Sequence, residues 1–384
     1  MRQIKVGFLS PFSTIYPNIG HEIMDGILSG IPERLHNQFQ FFPEFIHQGQ
    51  PGALRPAIEK LVAFHNVDII TGMVNYRSIR DVYSLINRFK KPCLFIDLGE
   101  YLPLRSEHSP YVFYNSYEMW QVEFALGYWA QSEFGGSGAV IMPSYEAGYH
   151  LPSAFRLGTQ YRRPSEMQWA LIPFRGGQNN IKESVREYVR VIKMEQPDFL
   201  HAMFSGTEAL DFFEAYKEEG LAGEIPLVAT PHMISFEVLN KIKSLNLTMY
   251  GASVWHYETD SVENQAFKKV HLTQTGGMAN HFSLLGYEVG RALENLYPFL
   301  IKGSQDTLSQ LHSLQISSPR GERKFINHSS FPNPNIDIEK IHLSGNDIKR
   351  VIIGKGEGIR SSHSIFESVY SENISGWYNN YLCV

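Results

Sequence analysis

Strand-like apolar runs that alternate with amphipathic helical segments constrain this chain more than any other feature. The runs occupy residues 4–9, 67–72 and 93–98, and helical spacing of apolar residues marks segments 53–65 and 79–89. A strand followed by a helix, repeated with short connections, favours a parallel sheet with helices on both faces. The sequence therefore predicts an α/β fold.

The loops that follow these strands begin at Ser10, Gly72 and Asp97. Ligands of parallel α/β sheets bind at the carboxyl ends of the strands. The first loop, residues 10–16, carries hydroxyls and a tyrosine ring in place of the glycines that cradle a phosphate. We expect it to form one wall of a cleft for a small polar molecule.

A second α/β half follows the first. Strand-like runs at 139–142, 197–204 and 225–229 are separated by helical segments at 181–194 and 209–219. At 384 residues the chain is also long for a single core. Two α/β domains of similar build are therefore predicted.

Charge and cysteine content exclude several classes of function. The formal net charge is −5, which gives no electrostatic reason to bind nucleic acid or an anionic membrane. Cys93 lies inside an apolar run and Cys383 is next to the last residue, so a structural disulfide is not expected. The 15 histidines show no metal-ligand spacing. We expect neither a metal nor a cofactor.

The compartment depends on the N-terminus. No basic segment followed by a long apolar stretch precedes the first strand, and no apolar run is long enough to cross a bilayer. If Met1 is the natural start, the expected location is the cytoplasm. If an export signal has been trimmed, the expected location is the periplasm or another extracytoplasmic space.

Two glycine patterns suggest chemistry that their context does not support. Gly354, Gly356 and Gly358 alternate, but no helical pattern follows them, so a dinucleotide site is not expected. Around Ser137 a helix comes before the glycines and a strand after them, the reverse of a nucleophile elbow. With no nucleophile–base spacing and no carboxylate pair suited to acid–base chemistry, we do not expect an enzyme.

Eight short segments occur in a distinctive order along the chain. They are residues 4–11, 67–72, 91–94, 110–114, 197–199, 219–221, 286–288 and 318–321. In this order they resemble the type I periplasmic-binding-protein superfamily, in particular the branch around leucine/isoleucine/valine-binding proteins and cytosolic amide sensors. The resemblance covers about residues 4–350. It implies two Rossmann-like lobes with parallel sheets, joined by three crossovers, and a ligand cleft between the lobes that closes by hinge motion.

The resemblance also implies the limits of the lobes. The crossovers are expected near Asn115, Tyr250 and Arg320. The expected lobes are 1–115 with 250–320 and 116–249 with 321–355, followed by a C-terminal tail, 356–384.

Ligand-binding positions carry over from the family loop by loop. In lobe 1 the expected residues are Ser13, Tyr16, Asn75, Tyr76, Ser78, Leu98 and Glu100. In lobe 2 they are Tyr145, Tyr149, Phe204, Ser205, Thr230 and His232. Relatives use the loop after Gly72 to hold a carboxylate, and Leu98 and Glu100 match positions that grip the backbone-like end of the ligand.

One departure from the family leaves the ligand open. Relatives that bind amino acids place a carboxylate on the second-lobe loop that here contains Thr230, Pro231 and His232. A buried ammonium without an anionic partner is costly. Either Glu100 substitutes for that carboxylate, or the ligand carries no ammonium. An amino acid, an amide, a urea-like compound and an aromatic acid are the candidate ligands.

The resemblance implies a non-enzymatic solute-binding protein that serves an ABC permease, with a cytosolic ligand sensor acting on a regulatory protein as the alternative. A homodimer stays open. A transcription repressor of the related fold would need a helix-turn-helix headpiece, and only three residues precede Ile4.

Overall fold

The computed structural model describes residues 2–74, 76–102, 108–173, 181–327 and 334–358, together with Val369. Within these residues the chain forms 14 β-strands and 12 α-helices. The strands are β1 (Ile4–Ser10), β2 (Phe39–Phe45), β3 (Ile69–Met73), β4 (Cys93–Asp97), β5 (Val112–Ser116), β6 (Ser137–Pro143), β7 (Glu166–Ile172), β8 (Phe199–Ala202), β9 (Leu227–Ala229), β10 (Thr248–Ser253), β11 (Gln315–Ser318), β12 (Gly321–Lys324), β13 (Asp337–Ser344) and β14 (Asp347–Lys355). The helices are α1 (Ile19–Gly30), α2 (Pro51–Ala63), α3 (Tyr76–Arg80), α4 (Tyr83–Phe89), α5 (Met119–Phe134), α6 (Leu151–Gln160), α7 (Lys182–Glu195), α8 (Gly206–Glu218), α9 (Phe236–Ile242), α10 (Val262–Thr275), α11 (His281–Leu300) and α12 (Ser304–Ser313).

The described chain divides into two compact units, and each unit combines two separate stretches of sequence. Unit 1 contains the described residues of 2–117 and 257–327. Unit 2 contains those of 118–256 and 334–358. The predicted α/β class, with a parallel-rich sheet in each of two lobes, is confirmed.

Unit 1 is built on a five-stranded parallel sheet with the order β2-β1-β3-β4-β5. Strands β3, β4 and β5 are buried along their whole length, as expected for apolar runs covered on both faces. Leu9 is in register with Gly72, and Met73 with Ile96. The carboxyl ends of β1, β3 and β4 therefore lie side by side.

Helices α1 and α11 of unit 1 approach each other closely because glycines line their contact. A Cβ atom added at Gly26 would lie 2.1 Å from the carbonyl oxygen of Ser283, and one added at Gly30 would lie 2.2 Å from that of Tyr287. No side chain fits at such distances. The glycines are therefore required by backbone-to-backbone packing.

Unit 2 contains a seven-stranded sheet with the order β14-β13-β10-β9-β8-β6-β7. Strands β10, β9, β8, β6 and β7 are parallel, whereas β13 and β14 form an antiparallel hairpin on the outer side of β10. The carboxyl ends of β6, β8 and β9 are neighbours in the sheet. Buried aliphatic and aromatic residues such as Ile141, Leu200 and Phe213 form the core on one face.

Two local predictions are wrong. The single helix expected over residues 79–89 is two short helices, α3 and α4, separated at Asp81 and Val82. No proline or glycine marks this break in the sequence. The sequence analysis also does not predict β13 and β14, which extend the sheet of unit 2 up to Lys355.

Two expectations concern the ends of what the structure describes. The tail predicted for 356–384 lies outside the described residues after 358, apart from Val369. Among the residues described, no helix is both long and apolar enough to span a bilayer.

Candidate functional site

The loop after β1 is held in shape by its own serine. The Ser13 hydroxyl accepts hydrogen bonds from the backbone N–H groups of Ile15 and Tyr16, at 3.2 and 3.1 Å. This is the local turn that serine side chains form with the backbone. The half-buried Tyr16 ring meets Phe282 edge to face, with ring centroids 5.0 Å apart. The structure therefore uses Ser13 to position Tyr16.

The loop after β3 leads directly into α3, which carries two of the predicted ligand residues. Tyr76 is 1% exposed, and its ring packs edge to face against Tyr114 with centroids 6.2 Å apart. Ser78 is fully buried on the same helix. The predicted Asn75 lies outside the described residues. This loop thus places hydroxyl groups in a buried setting at the end of β3.

The end of β4 contains a pair of buried carboxyl groups. Asp97, the last residue of β4, is hydrogen-bonded to the carboxyl of Glu100 and accepts a 3.4 Å hydrogen bond from the Ser116 hydroxyl. Burial raises the pKa of Asp97 to about 6. The predicted Leu98 lies between Asp97 and Glu100 and is 1% exposed.

The end of β5 is fixed by a buried ion pair. Arg320 contacts Glu288 of α11 at 2.7 Å, with the two side chains 1% and 0% exposed. It also donates to the Ser116 carbonyl at 3.0 Å and to Asn115 at 3.2 Å. Burial opposes ionisation of Glu288, but the charge and hydrogen bonds of Arg320, the charge of Arg323 and the hydrogen bond from Ser318 together lower the pKa of Glu288. Asn115 and Arg320, the residues predicted near two crossovers, thus meet within unit 1.

In unit 2, the loop after β6 begins with a 3₁₀ turn, Ser144–Gly148. The Tyr145 hydroxyl donates a hydrogen bond to Glu208 in the first turn of α8. Burial raises the pKa of Glu208, although the hydrogen bond from Tyr145 opposes the rise. This contact joins the loop after β6 to the loop after β8.

A second network in unit 2 involves the loop after β9. The Thr230 hydroxyl donates to one oxygen of Glu123 on α5, and His201 of β8 contacts the other oxygen at 3.0 Å. The His201 ring stacks on Phe155 with centroids 3.7 Å apart, and its Nδ1 lies 3.2 Å from the Val228 carbonyl. Each oxygen of the Glu123 carboxylate therefore lies next to a polar group of another element.

Glu146 differs from these acids. It is 7% exposed, and among the residues that the structure describes its carboxyl has no hydrogen-bond or ion-pair partner. Burial and then the charges of Glu208 and Glu123 raise the pKa of Glu146 to about 8. An unpartnered buried carboxyl is costly to a fold, which makes Glu146 the most unusual group in unit 2.

The remaining predicted residues of unit 2 lie near the strand ends but differ in setting. Phe204 is fully buried and stacks on Phe212 of the core, with centroids 4.9 Å apart. Ser205 is the residue before α8. Tyr149 and His232 are 4% and 8% exposed. By its surroundings, Phe204 is a packing residue.

The ligand residues expected from the sequence do not include four carboxyl groups that the structure places near the strand ends: Asp97, Glu123, Glu146 and Glu208. Asp97 was named only as the start of a loop. Asp97 and Glu123 lie within apolar stretches, where a charged residue needs a reason, and that pattern is the available signal for these two. Among the described residues, no group of three or more His, Cys, Asp or Glu side chains is placed to hold a metal ion.

The sequence profile of a family described as periplasmic binding protein matches residues 3–335. No curated protein matches the chain in sequence.

Solved structures share the fold. A solute-binding protein of an ABC transporter from R. palustris, in complex with benzoate, is 20% identical with a TM-score of 0.74, over 94% of this chain and 98% of that chain. An ABC transporter substrate-binding protein from Sphaerobacter thermophilus is 19% identical with a TM-score of 0.77, over 92% and 98%. The branched-chain amino acid transporter substrate-binding protein LivJ from Streptococcus pneumoniae, in complex with isoleucine, is 13% identical with a TM-score of 0.70, over 92% and 100%.

Proposed function

Because the chain belongs to the periplasmic binding protein family, we propose that it binds a small polar or amphipathic solute without converting it, as the substrate-binding component of an ABC-type uptake system. The candidate ligands are an amino acid, an amide, a urea-like compound and an aromatic acid. The proposed partner is an ABC permease. The inter-lobe cleft and the hinge closure that the family resemblance implies stay predictions.

The observation that carries the proposal is the polar chemistry at the carboxyl ends of both parallel sheets. In unit 1 the ends of β3 and β4 carry the buried Ser78 and the Asp97–Glu100 pair. In unit 2 the ends of β6 and β9 carry Glu146 and Thr230. Polar groups concentrated in otherwise apolar surroundings at strand ends are typical of small-molecule sites in α/β folds.

The chemistry of these loops supports binding over catalysis. The hydroxyls of Ser13 and Tyr145 are each engaged, with backbone N–H groups and with Glu208 respectively. Two solved structures with the same fold are complexes with benzoate and with isoleucine, and both classes of compound are among the candidates.

A thermal-shift screen tests the proposal. Purified protein is heated with amino acids, aliphatic amides, urea and substituted benzoates, each at about 100 times the expected Kd. A ligand that binds only the folded chain at that excess stabilises it by about 2.7 kcal/mol, which for a chain of 384 residues corresponds to a rise in Tm of roughly 3 °C. The compound should be recovered unchanged by mass spectrometry. If every class leaves the Tm unaltered, or if the compound is converted, the proposal fails.

A further inference from the structure

The carboxyl group of Glu146 is a hydrogen-bond acceptor that has no partner among the described residues. The other buried acids around the sheet of unit 2 have partners: Glu123 has Thr230 and His201, Glu208 has Tyr145, and Glu339 has Arg350 and His256. The oxygens of Glu146 have none, yet they are not sealed from solvent. Glu146 lies in the turn directly after β6, at the end of the sheet where the ligand loops are.

The groups that face Glu146 set the sign of the charge it can accept. Glu208 of α8 and Glu123 of α5 are the charges that act on it, and both are acidic. Glu123 contacts Thr230 and His201, and Glu208 accepts a hydrogen bond from the neutral hydroxyl of Tyr145. Among the described residues, the charges that act on Glu146 include no lysine or arginine. The local field therefore attracts a cation and repels an anion.

An organic cation fits this setting better than a metal ion. The described residues offer no cluster of three or more metal-ligating side chains, and divalent cations need several oxygen ligands. An ammonium, amidinium or guanidinium group needs only one or two carboxylates, which it meets with charge-assisted N–H···O bonds. Glu208 is the acid whose charge acts most strongly on Glu146, which makes it the candidate for the second acceptor.

We infer that Glu146, supported by Glu208, binds a cationic N–H group of the ligand and releases its own proton to the solvent when it does so. This inference rests on the proposed function and specifies the ligand class on the side of unit 2. It assigns the cation to the loop after β6, not to the loop after β9 that contains Thr230 and His232.

Proton release follows from the state of Glu146 before binding. Its pKa of about 8 means that the carboxyl is mostly protonated at pH 7. A cation binds the carboxylate, so about one proton leaves per cation bound at pH 7. The affinity for a cation should therefore rise about tenfold per pH unit up to pH 8 and level off above it.

Calorimetry with benzamidine, benzamide and benzoate tests the inference, because the three compounds share one ring and differ in charge. Titrations are made at pH 6.5, 7.5 and 8.5, in two buffers of different ionisation enthalpy. We expect benzamidine to bind at least tenfold more tightly than benzamide at pH 8.5, with proton release at pH 6.5. Benzoate should bind most weakly.

Variants locate the effect. Glu146→Gln should weaken benzamidine binding at pH 8.5 by at least 20-fold and abolish the proton release, while benzamide binding changes by less than about threefold. Glu187→Gln, an exposed acid on α7 of the same unit, is the matched control and should leave all three affinities unchanged.

Several results would overturn the inference. They are equal or tighter binding of benzamide or benzoate, pH-independent binding of benzamidine, an unchanged affinity in Glu146→Gln, and no benzamidine binding at all. If the thermal-shift screen nevertheless yields an uncharged or anionic ligand, the proposed function stands and only the assignment of Glu146 fails.

Discussion

At the scale of single residues, the molecule buries charge in two contrasting ways. Arg320 and Glu288 form a paired and hydrogen-bonded unit, whereas Glu146 has no partner among the described residues. The sequence shows that these residues are charged but not how they pair, because Arg320 and Glu288 are separated by 31 intervening positions. Tertiary contacts therefore determine which buried carboxyl groups have a partner within the protein and which do not.

Removing the positive partner of the buried pair should be costly. Arg320→Met leaves Glu288 uncompensated and should lower the free energy of unfolding by about 3–5 kcal/mol, measured by chemical denaturation at pH 7. Because the pKa of Glu288 is lowered in the folded chain, the stabilisation is present at neutral pH and is lost as acidification protonates Glu288.

The exposed pair of Arg34 and Glu294 provides the control. Arg34 is 65% exposed, so Arg34→Met should change the stability by less than about 1 kcal/mol. If the two arginine variants lose equal stability, the buried pair has no special role.

Glu146 should make the unliganded protein less stable at high pH. Its pKa of about 8 in the folded chain exceeds the value near 4.3 of an unfolded glutamate. The contribution of Glu146 to the free energy of unfolding is therefore greatest below about pH 4 and declines as the pH rises to 8. Glu146→Gln should therefore be more stable than wild type by about 2–5 kcal/mol at pH 8, and nearly equal to it at pH 4.5. Denaturation at both pH values gives the answer, and a difference independent of pH would show that Glu146 does not titrate as described.

At the scale of helices and strands, local patterns predicted the strands and helices that build the two parallel sheets. These patterns did not predict a helix break that depends on tertiary packing or a hairpin that depends on strand pairing. The 79–89 segment keeps helical periodicity although the chain turns at Asp81 and Val82. Alternating apolar residues on both sides of Gly345 are a short sequence signal for the hairpin of β13 and β14. The φ of Gly345 is 61°, which suits a tight turn.

The close contact of α1 and α11 gives a prediction at the same scale. Gly26→Ala places a methyl group against the Ser283 carbonyl oxygen, at 2.1 Å without relaxation, and should cost about 2 kcal/mol or more because the helices must separate. Gly52→Ala on α2 is the control, because nothing lies within 4 Å of its added Cβ. That change should stabilise the protein by about 0.5–1 kcal/mol. Calorimetric Tm values that fall equally in both variants would contradict the packing argument.

At the scale of the whole molecule, the order of short motifs predicted the family correctly, whereas the ligand-binding residues stay a prediction. The family match spans residues 3–335, and motif order survives at low identity because the fold requires it. The chemistry of the site depends on side chains such as Asp97 and Glu208, whose partners come from other segments. The ligand class therefore could not be deduced from motifs alone.

The proposed function requires one solute to bind, unconverted, through strand-end loops of the chain. The test is isothermal titration calorimetry with the solute that gives the largest thermal shift. The variants are Glu100→Gln in unit 1 and Tyr145→Phe in unit 2, which each change one polar group and keep the shape of the side chain. Glu59→Gln, at an exposed position of α2, is the control.

We predict a stoichiometry of one, an affinity at least tenfold weaker in each of the first two variants, and an unchanged affinity in the control. Full affinity in either Glu100→Gln or Tyr145→Phe would contradict the claim.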